Sequence, residues 1–278
     1  MQKRQYIRTI ALAVSVILLT TTLAGCGLSF VPVTDTTTAE TKAAAELTDR
    51  QKEILKAAGL STEYEELTDV QKESIVDIER ALEYLEKTYG KEFVYTAYQL
   101  PDLLDGGRTV KCYEADDPDE RPITVTIGYN NESKQYTFTD DYDMVLASRL
   151  HEQALYDYFC RETEATPSAV VSTVFEINGD VAADTVIRNT GAFTNVLFSA
   201  SATDEKKLRE LANDYARWVT EDQTGGWGDT AFMIVSDEAA GELSGLNYED
   251  VLHAYGYTAY IMVSIASNGH VDIKEQNK

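Results

Sequence analysis

The sequence is poor in the residues that mark the commonest catalytic and metal sites. It has three histidines, three cysteines and two tryptophans among 278 residues. His151, His253 and His270 are far apart, and Leu155 stands where a zinc-binding H-E-x-x-H helix beginning at His151 would need its second histidine. No C-x-x-C pair occurs. We therefore expect no metal site and no cofactor, and we expect His151 on the surface of a helix.

Nucleotide-binding and nucleophile motifs are missing as well. The chain has no P-loop, no glycine-rich dinucleotide fingerprint and no G-x-S-x-G elbow. Positive charge is scarce, since 24 Lys and Arg face 47 Asp and Glu, for a net charge of −23. So acidic a chain repels phosphate backbones, which argues against a nucleic-acid partner. Any partner attracted by charge would be cationic.

The sequence also lacks an apolar run long enough to cross a membrane. Residues 10–19 are apolar except for Ser15, whereas a spanning helix needs about 20 residues. Lys3, Arg4 and Arg8 precede this run. A positive segment followed by a short apolar one is the pattern of a secretory signal.

Leu23-Ala24-Gly25-Cys26 ends this N-terminal segment. It resembles the lipobox of bacterial lipoproteins. The resemblance implies that residues 1–25 are a signal peptide removed before Cys26, and that the Cys26 thiol carries a diacylglycerol. Two or three acyl chains would hold the protein stably on the extracytoplasmic face of the cell membrane. The alternatives are a plain signal peptide with a chance cysteine, or an uncleaved anchor.

Removal of the signal would leave 253 residues with a net charge of about −26, because it takes away three positive charges and no acid. That length suffices for one large domain or two small ones. Residues 26–46 are rich in Thr and Ala, and they predict a flexible stalk. The remainder divides into a unit at 47–164 and a second unit at 165–278.

The first unit begins with a predicted pair of helices. Thr48 and Thr68 are each followed three residues later by glutamine, which is the capping-box pattern of a helix start. Gly59 and Gly90 stand where left-handed residues would end the helices. Four β-prone segments follow, of which residues 123–127 alternate most clearly, and then a long amphipathic helix from Tyr142 to about residue 161.

The second unit combines strands at 169–177, 195–200, 231–235 and 257–266 with an amphipathic stripe at 208–219. Asn268-Gly269 predicts a hairpin near the end. Strands and helices come in runs and do not alternate regularly. The sequence therefore predicts an α+β fold, with an N-terminal helical pair followed by antiparallel sheets packed with long amphipathic helices.

Three features of the mature chain are candidate sites. Cys112 and Cys160 form an even pair in an exported context, so we expect them to lie close enough for a disulfide. Trp227 lies in a predicted loop, Gly225-Gly226-Trp227-Gly228-Asp229, and either presents an aromatic platform to a sugar or protein or fills the core. Two acidic runs, at 116–120 and 140–143, match no EF-hand and predict solvated turns rather than calcium ligands.

The sequence favours a non-catalytic role. No nucleophile lies in an activating context and no histidine has a visible partner. We therefore expect a lipid-anchored envelope protein that binds a protein or a cell-wall component, with Trp227 as the first candidate contact. A metal-assisted extracytoplasmic hydrolase using acidic side chains, or a divalent-cation binder, remains the alternative.

Overall fold

The computed structural model describes residues 46–100, 107–117, 121–130, 132–223, 225–244 and 247–276. The signal peptide, Cys26 and all of the stalk except residue 46 lie outside these residues. In the first half, two helices precede a four-stranded antiparallel sheet in which the strands follow chain order. These elements are α1 (Asp49–Ala57), α2 (Asp69–Tyr89), β1 (Phe93–Gln99), β2 (Arg108–Glu114), β3 (Ile123–Asn130) and β4 (Gln135–Asp140).

Both helices of the pair begin as their capping boxes predict. The Thr48 hydroxyl accepts a hydrogen bond from the Gln51 amide at 3.1 Å, and the Gln51 side chain accepts one from the Thr48 amide at 3.0 Å. The same reciprocal bonds start α2 at Thr68. Gly90 ends α2 with φ of 66°. A left-handed residue there costs least when it is glycine, so the helix ends where the sequence predicts.

The first core lies between α2 and one face of this sheet. Ile78, Leu82 and Leu85 of α2 are buried against Val110 and Val125 of the sheet. The opposite face is rich in threonine and open to solvent, as an antiparallel sheet permits.

The long helix α3 (Tyr142–Glu162) belongs to both halves of the protein. Tyr142 near its start is buried in the first core, whereas Leu155 and Phe159 near its end are buried in the second. The division at residue 164 therefore places α3 in the first unit, although half of the helix packs in the second core.

The second half is built on a five-stranded sheet in the order β5-β6-β7-β8-β9. Neighbouring strands are antiparallel except β6 and β7, which are parallel. The elements are β5 (Ala169–Ile177), α4 (Val186–Asn189), β6 (Thr190–Ser199), α5 (Glu205–Glu221), β7 (Trp227–Val235), α6 (Asp237–Glu242), α7 (Tyr248–Tyr255), β8 (Ala259–Ile265) and β9 (Val271–Gln276).

The α+β class and the helical pair are confirmed, with one refinement. The second sheet is mixed, because α5 returns the chain from the end of β6 to the start of β7 and so makes these strands parallel. The predicted loop at 225–229 is wrong, since β7 begins at Trp227. The short helices α4 and α6 are too brief to show a helical period in sequence.

The two faces of the second sheet are covered differently. On one face, α3 and α5 bury the alternate residues of the inner strands, among them Val196, Phe198, Phe232 and Val263. On the other face, α6 and α7 cover one end, where Leu197, Met233 and Val235 are buried. The other end of that face has no covering element among the described residues.

Among the residues that the structure describes, no helix is both long and apolar enough to span a membrane.

Phe159 lies at the centre of the second core and provides a test of the arrangement. Its ring is fully buried and lies 5.9 Å from Phe198 and 5.8 Å from Phe232, centroid to centroid. Phe159→Ala should lower the free energy of unfolding by about 3–5 kcal/mol, because it leaves a cavity among rings that cannot collapse freely. Urea titration followed by circular dichroism measures the change.

Tyr156 is the matched control, since it lies on the same helix with 38% of its surface exposed. Tyr156→Ala should change the free energy of unfolding by less than about 0.5 kcal/mol. Equal losses for the two variants would contradict the packing of α3 against the second sheet.

Candidate functional site

Trp227 lies at the start of β7 on the uncovered end of the second sheet. Its ring is half-buried and meets Phe175 of β5 edge to face, with centroids 4.8 Å apart. It is therefore neither a loop platform nor a core plug, the two roles that the sequence left open. It is one member of an aromatic cluster on the sheet surface.

Gly191 allows the two rings to meet. It pairs with Trp227 across the parallel strands, and a Cβ at this position would lie 2.8 Å from both the Phe175 and the Trp227 rings. Any side chain there would push the rings apart, so the glycine makes the aromatic contact possible. A β-bulge at Phe175 turns that ring onto the same face.

Gly226 and Gly228 have a different reason to be glycine. A Cβ on Gly226 would lie 2.3 Å from the carbonyl oxygen of Ile187, and one on Gly228 would lie 1.9 Å from that of Ala192. These glycines let the start of β7 approach the backbone of α4 and of β6. The glycine-rich sequence therefore serves strand packing, not a phosphate or ligand cradle.

Phe193 completes the cluster and is its most accessible member. It has 53% of its surface exposed, and its ring centroid lies 4.6 Å from that of Phe175. Phe175, Phe193 and Trp227 together form the open aromatic face. Single exposed apolar residues are common on protein surfaces. Phe193 differs from them because it forms a continuous apolar patch with two further rings, and such patches mark interaction surfaces.

Polar side chains continue the same surface. Asp229 pairs in register with Phe193 on one side and Ser264 on the other, and Asn195 lies two residues along β6 from Phe193. Residues directly opposite on neighbouring strands share a face. The side chains of Asn195, Asp229 and Ser264 make no hydrogen bond to another described residue. The open aromatic face thus has donors and acceptors beside it.

His151 is buried, so the expectation of a surface histidine is wrong. Its Nδ1 lies 3.0 Å from the Ser172 hydroxyl, and that hydroxyl lies 3.0 Å from the hydroxyl of Thr194. Burial lowers the pKa of His151 to about 4, so the ring is neutral at physiological pH. The hydrophobic stripe of α3 concealed this polar contact from sequence reasoning.

The serine and histidine have the spacing of a nucleophile and its base, but no substrate can reach them. Ser172 is 6% exposed and His151 is 4% exposed. The cavity beside His151 has a volume of about 10 Å³, enough for about one water molecule. The pair therefore satisfies buried polar groups between α3 and β5 and does not form an open catalytic dyad.

Part of the second acidic run, at 140–143, is engaged in hydrogen bonds within the fold. Asp140 accepts hydrogen bonds from the hydroxyls of Tyr84 and Tyr89 at 2.8 and 2.9 Å, and Asp141 accepts one from the Thr124 amide. These carboxylates pin α2 and α3 to the edge of the first sheet. The expectation of a solvated turn therefore fails for Asp140 and Asp141, which are half-buried and hydrogen-bonded, and holds for the exposed Asp143.

The run at 116–120 is partly described. Asp117 is 7% exposed and pairs with Arg149 of α3 at 2.5 Å, while residues 118–120 lie outside the described part. Arg149 also reaches Glu114, which accepts a hydrogen bond from Tyr142 at 2.6 Å. These pairs join the first sheet to α3. Within the described ranges no group of three or more His, Cys, Asp or Glu side chains is arranged to hold a metal ion.

The expected disulfide is absent. Cys112 and Cys160 are both free thiols. Cys112 points into the first core, where its sulfur lies 3.8 Å from the carbonyl oxygen of Ile123, whereas Cys160 lies near Thr166 at the end of α3. The long helix carries Cys160 towards the second core and so separates the two thiols between the two halves.

Sequence reasoning found Trp227 but missed Phe175 and Phe193. Phe175 lies in a predicted strand, where an aromatic residue is ordinary, and Phe193 lies two residues before the predicted start of the next one. The available signal was Gly191, a glycine near strand residues that needed a reason to lack a side chain. Cys26, the predicted lipidation site, lies outside the described residues.

In comparisons with known proteins, no family model, no curated protein and no solved structure matches the chain.

The two thiols should differ in reactivity. Burial raises the pKa of Cys112 to about 12, and its side chain is fully buried, whereas Cys160 is half-exposed. In a Cys26→Ser chain held in a non-ionic detergent at pH 8, the Cys160 thiol should react with a thiol reagent in the folded state. The Cys112 thiol should react only after denaturation. If neither thiol reacts in denaturant without reductant, the two cysteines form a disulfide and the assignment of free thiols is wrong.

Proposed function

We propose that the chain is a lipid-anchored protein of the extracytoplasmic membrane face that binds a partner without catalysing a reaction. The observation that carries the proposal is the open aromatic face, the cluster of Phe175, Phe193 and Trp227 on an uncovered sheet end. Aromatic anchors of this kind dominate binding hot spots. The favoured partner is a neutral glycan strand of the cell wall.

The anchor is supported by the order of features at the N-terminus. Basic residues come first, a short apolar run follows, and small residues precede Cys26, which is the order that lipoprotein processing needs. The thiol supplies the thioether, and the acyl chains supply the membrane affinity.

The choice of a glycan rests on the chemistry of the face. A sugar ring offers a flat C–H surface, which stacks on aromatic rings, and hydroxyls at its edge, which bond to amides, carboxylates and hydroxyls. Phe193 and Trp227 supply the rings, and Asn195, Asp229 and Ser264 supply the polar groups. The strong negative charge of the chain disfavours anionic wall polymers and leaves a neutral strand as the better match.

The non-catalytic part of the proposal is supported by the state of the reactive groups. The buried histidine contacts a buried serine beside a cavity of about 10 Å³. In the acidic runs, Asp117, Asp140 and Asp141 accept hydrogen bonds from tyrosines, an arginine and backbone amides. Groups tied in this way stabilise the fold and have little freedom to act on a substrate.

Lipidation at Cys26 is directly testable. Cys26→Ser should leave an uncleaved precursor that takes up no fatty-acid analogue, because the hydroxyl does not form the thioether that precedes cleavage. Metabolic labelling and gel mobility of the wild-type and variant chains measure both effects. Normal labelling and processing of the variant would show that the anchor lies elsewhere.

Glycan binding is tested by sedimentation with purified insoluble peptidoglycan, using the full chain in a non-ionic detergent. Phe193→Ser should weaken binding at least about tenfold, because it removes the most exposed ring of the face. It should leave the melting temperature nearly unchanged. Trp227→Ala should weaken binding too, but with a loss of stability, since Trp227 packs on Phe175 above Gly191.

Tyr129 provides the matched control. It has 47% of its surface exposed and lies beside a second ring, that of Tyr136, on the first sheet. Tyr129→Ser should bind as the wild-type chain does. Equal weakening by the two serine variants would mean that any exposed ring suffices. Failure of the wild-type chain to sediment would exclude the wall glycan and leave a protein partner.

A further inference from the structure

A wide groove lies between α3 and α5, on the side of the second half opposite the open aromatic face. It has a volume of about 820 Å³, and its walls come from the last turns of both helices and from the segment that leads into α4. Two stacked rings form its inner wall, Tyr158 of α3 and Trp218 of α5, with centroids 4.1 Å apart and planes at 16°. Cavities of this size accommodate small organic ligands or several residues of a peptide.

The hydroxyl of Tyr158 is the unusual feature of this wall. Tyr158 is only 6% exposed and lines the groove, yet its hydroxyl makes no hydrogen bond to another described residue. Other largely buried tyrosines have partners: Tyr142 bonds to Glu114 and Tyr215 to Thr230. The hydroxyl oxygen is open to the groove and not sealed in the core, so a ligand lying there can reach it.

The groove has a strong excess of negative charge. Its lining includes six carboxylates against the guanidinium groups of Arg161 and Arg217. Arg217 is paired with Asp214 at 2.7 Å. Among the described residues, four acids of the lining have neither an ion pair nor a side-chain hydrogen bond; these are Glu162, Asp184, Glu221 and Asp222.

The field of these acids reaches the aromatic wall. Burial raises the pKa of Tyr158 to about 12; the carboxylates of Asp214, Glu162 and Asp222 act in the same direction, and Arg217 opposes them. Acids around the half-exposed ring of Trp218 favour a cation on its open face, because the ring attracts a cation through its quadrupole and the acids attract it through their charge.

We propose that this groove binds an organic cation bearing primary ammonium groups. One ammonium donates to the Tyr158 hydroxyl oxygen and to the carboxylates at the ends of α3 and α5, while the connecting methylenes lie along Trp218. A free polyamine and a lysine-bearing peptide share this chemistry. The site is independent of the glycan-binding face.

Calorimetric titration of the full chain in a non-ionic detergent tests the proposal, with spermidine and tetralysine as probes. Binding of spermidine alone identifies a free polyamine, binding of tetralysine alone identifies a lysine-bearing segment, and binding of both identifies the ammonium group as the common element. Each of these results supports the proposal. Absence of binding by both probes at millimolar concentration overturns it.

A pair of tyrosine variants separates ligand binding from stability. Tyr158→Phe should leave the melting temperature unchanged or raised, because its hydroxyl has no partner in the fold. It should lower the affinity for the probe about fivefold. Tyr215→Phe should lower the melting temperature, because its hydroxyl bonds to Thr230 at 2.8 Å, and should leave affinity unchanged. Unchanged affinity in Tyr158→Phe would contradict the proposed contact.

Charge variants separate the groove from general attraction to an acidic protein. The double variant Glu221→Gln and Asp222→Asn should lower the affinity for the probe at least about fivefold, since both acids are exposed at the groove. The control double variant Glu83→Gln and Glu132→Gln removes two exposed acids from the first half and should change affinity less than about twofold. Equal weakening by the two would overturn the groove as the site.

Discussion

A sheet has two faces, and this chain covers one face of its second sheet far more fully than the other. Two long helices, α3 and α5, bury one face, whereas α6 and α7 span only one end of the other. Because apolar side chains must leave water for the sheet to be stable, the more fully covered face supplies most of the stabilising burial. The partly covered face then has rings that the core does not require.

The same arrangement determines what the polar residues can do. α3 joins the two cores, so its polar groups find partners in both halves, Tyr142 with Glu114 in the first and His151 with Ser172 in the second. Each bond is buried and therefore costly to break, which ties these groups to structure. The polar side chains that remain free for a ligand lie on the partly covered face of the second sheet and at the ends of the helices.

Local chemistry made much of the fold predictable. Thr48 and Thr68 specified two helix starts, and the amphipathic stripes specified α2, α3 and α5, because capping and periodicity act within a few residues of the chain. The parallel pairing of β6 with β7 depends on where α5 returns the chain, which no local pattern encodes. The site is harder still, since Phe175, Phe193 and Trp227 come from three strands and meet only in the sheet.

Hydroxyl-radical footprinting of the full chain with soluble peptidoglycan strands tests the binding face most directly, because it reports the solvent access of individual aromatic side chains. Oxidation of Phe193 and Trp227 should fall severalfold when the glycan is present, while that of Tyr129 on the first sheet stays the same. Glycan binding that leaves Phe193 as reactive as in the free protein would contradict the proposed binding face.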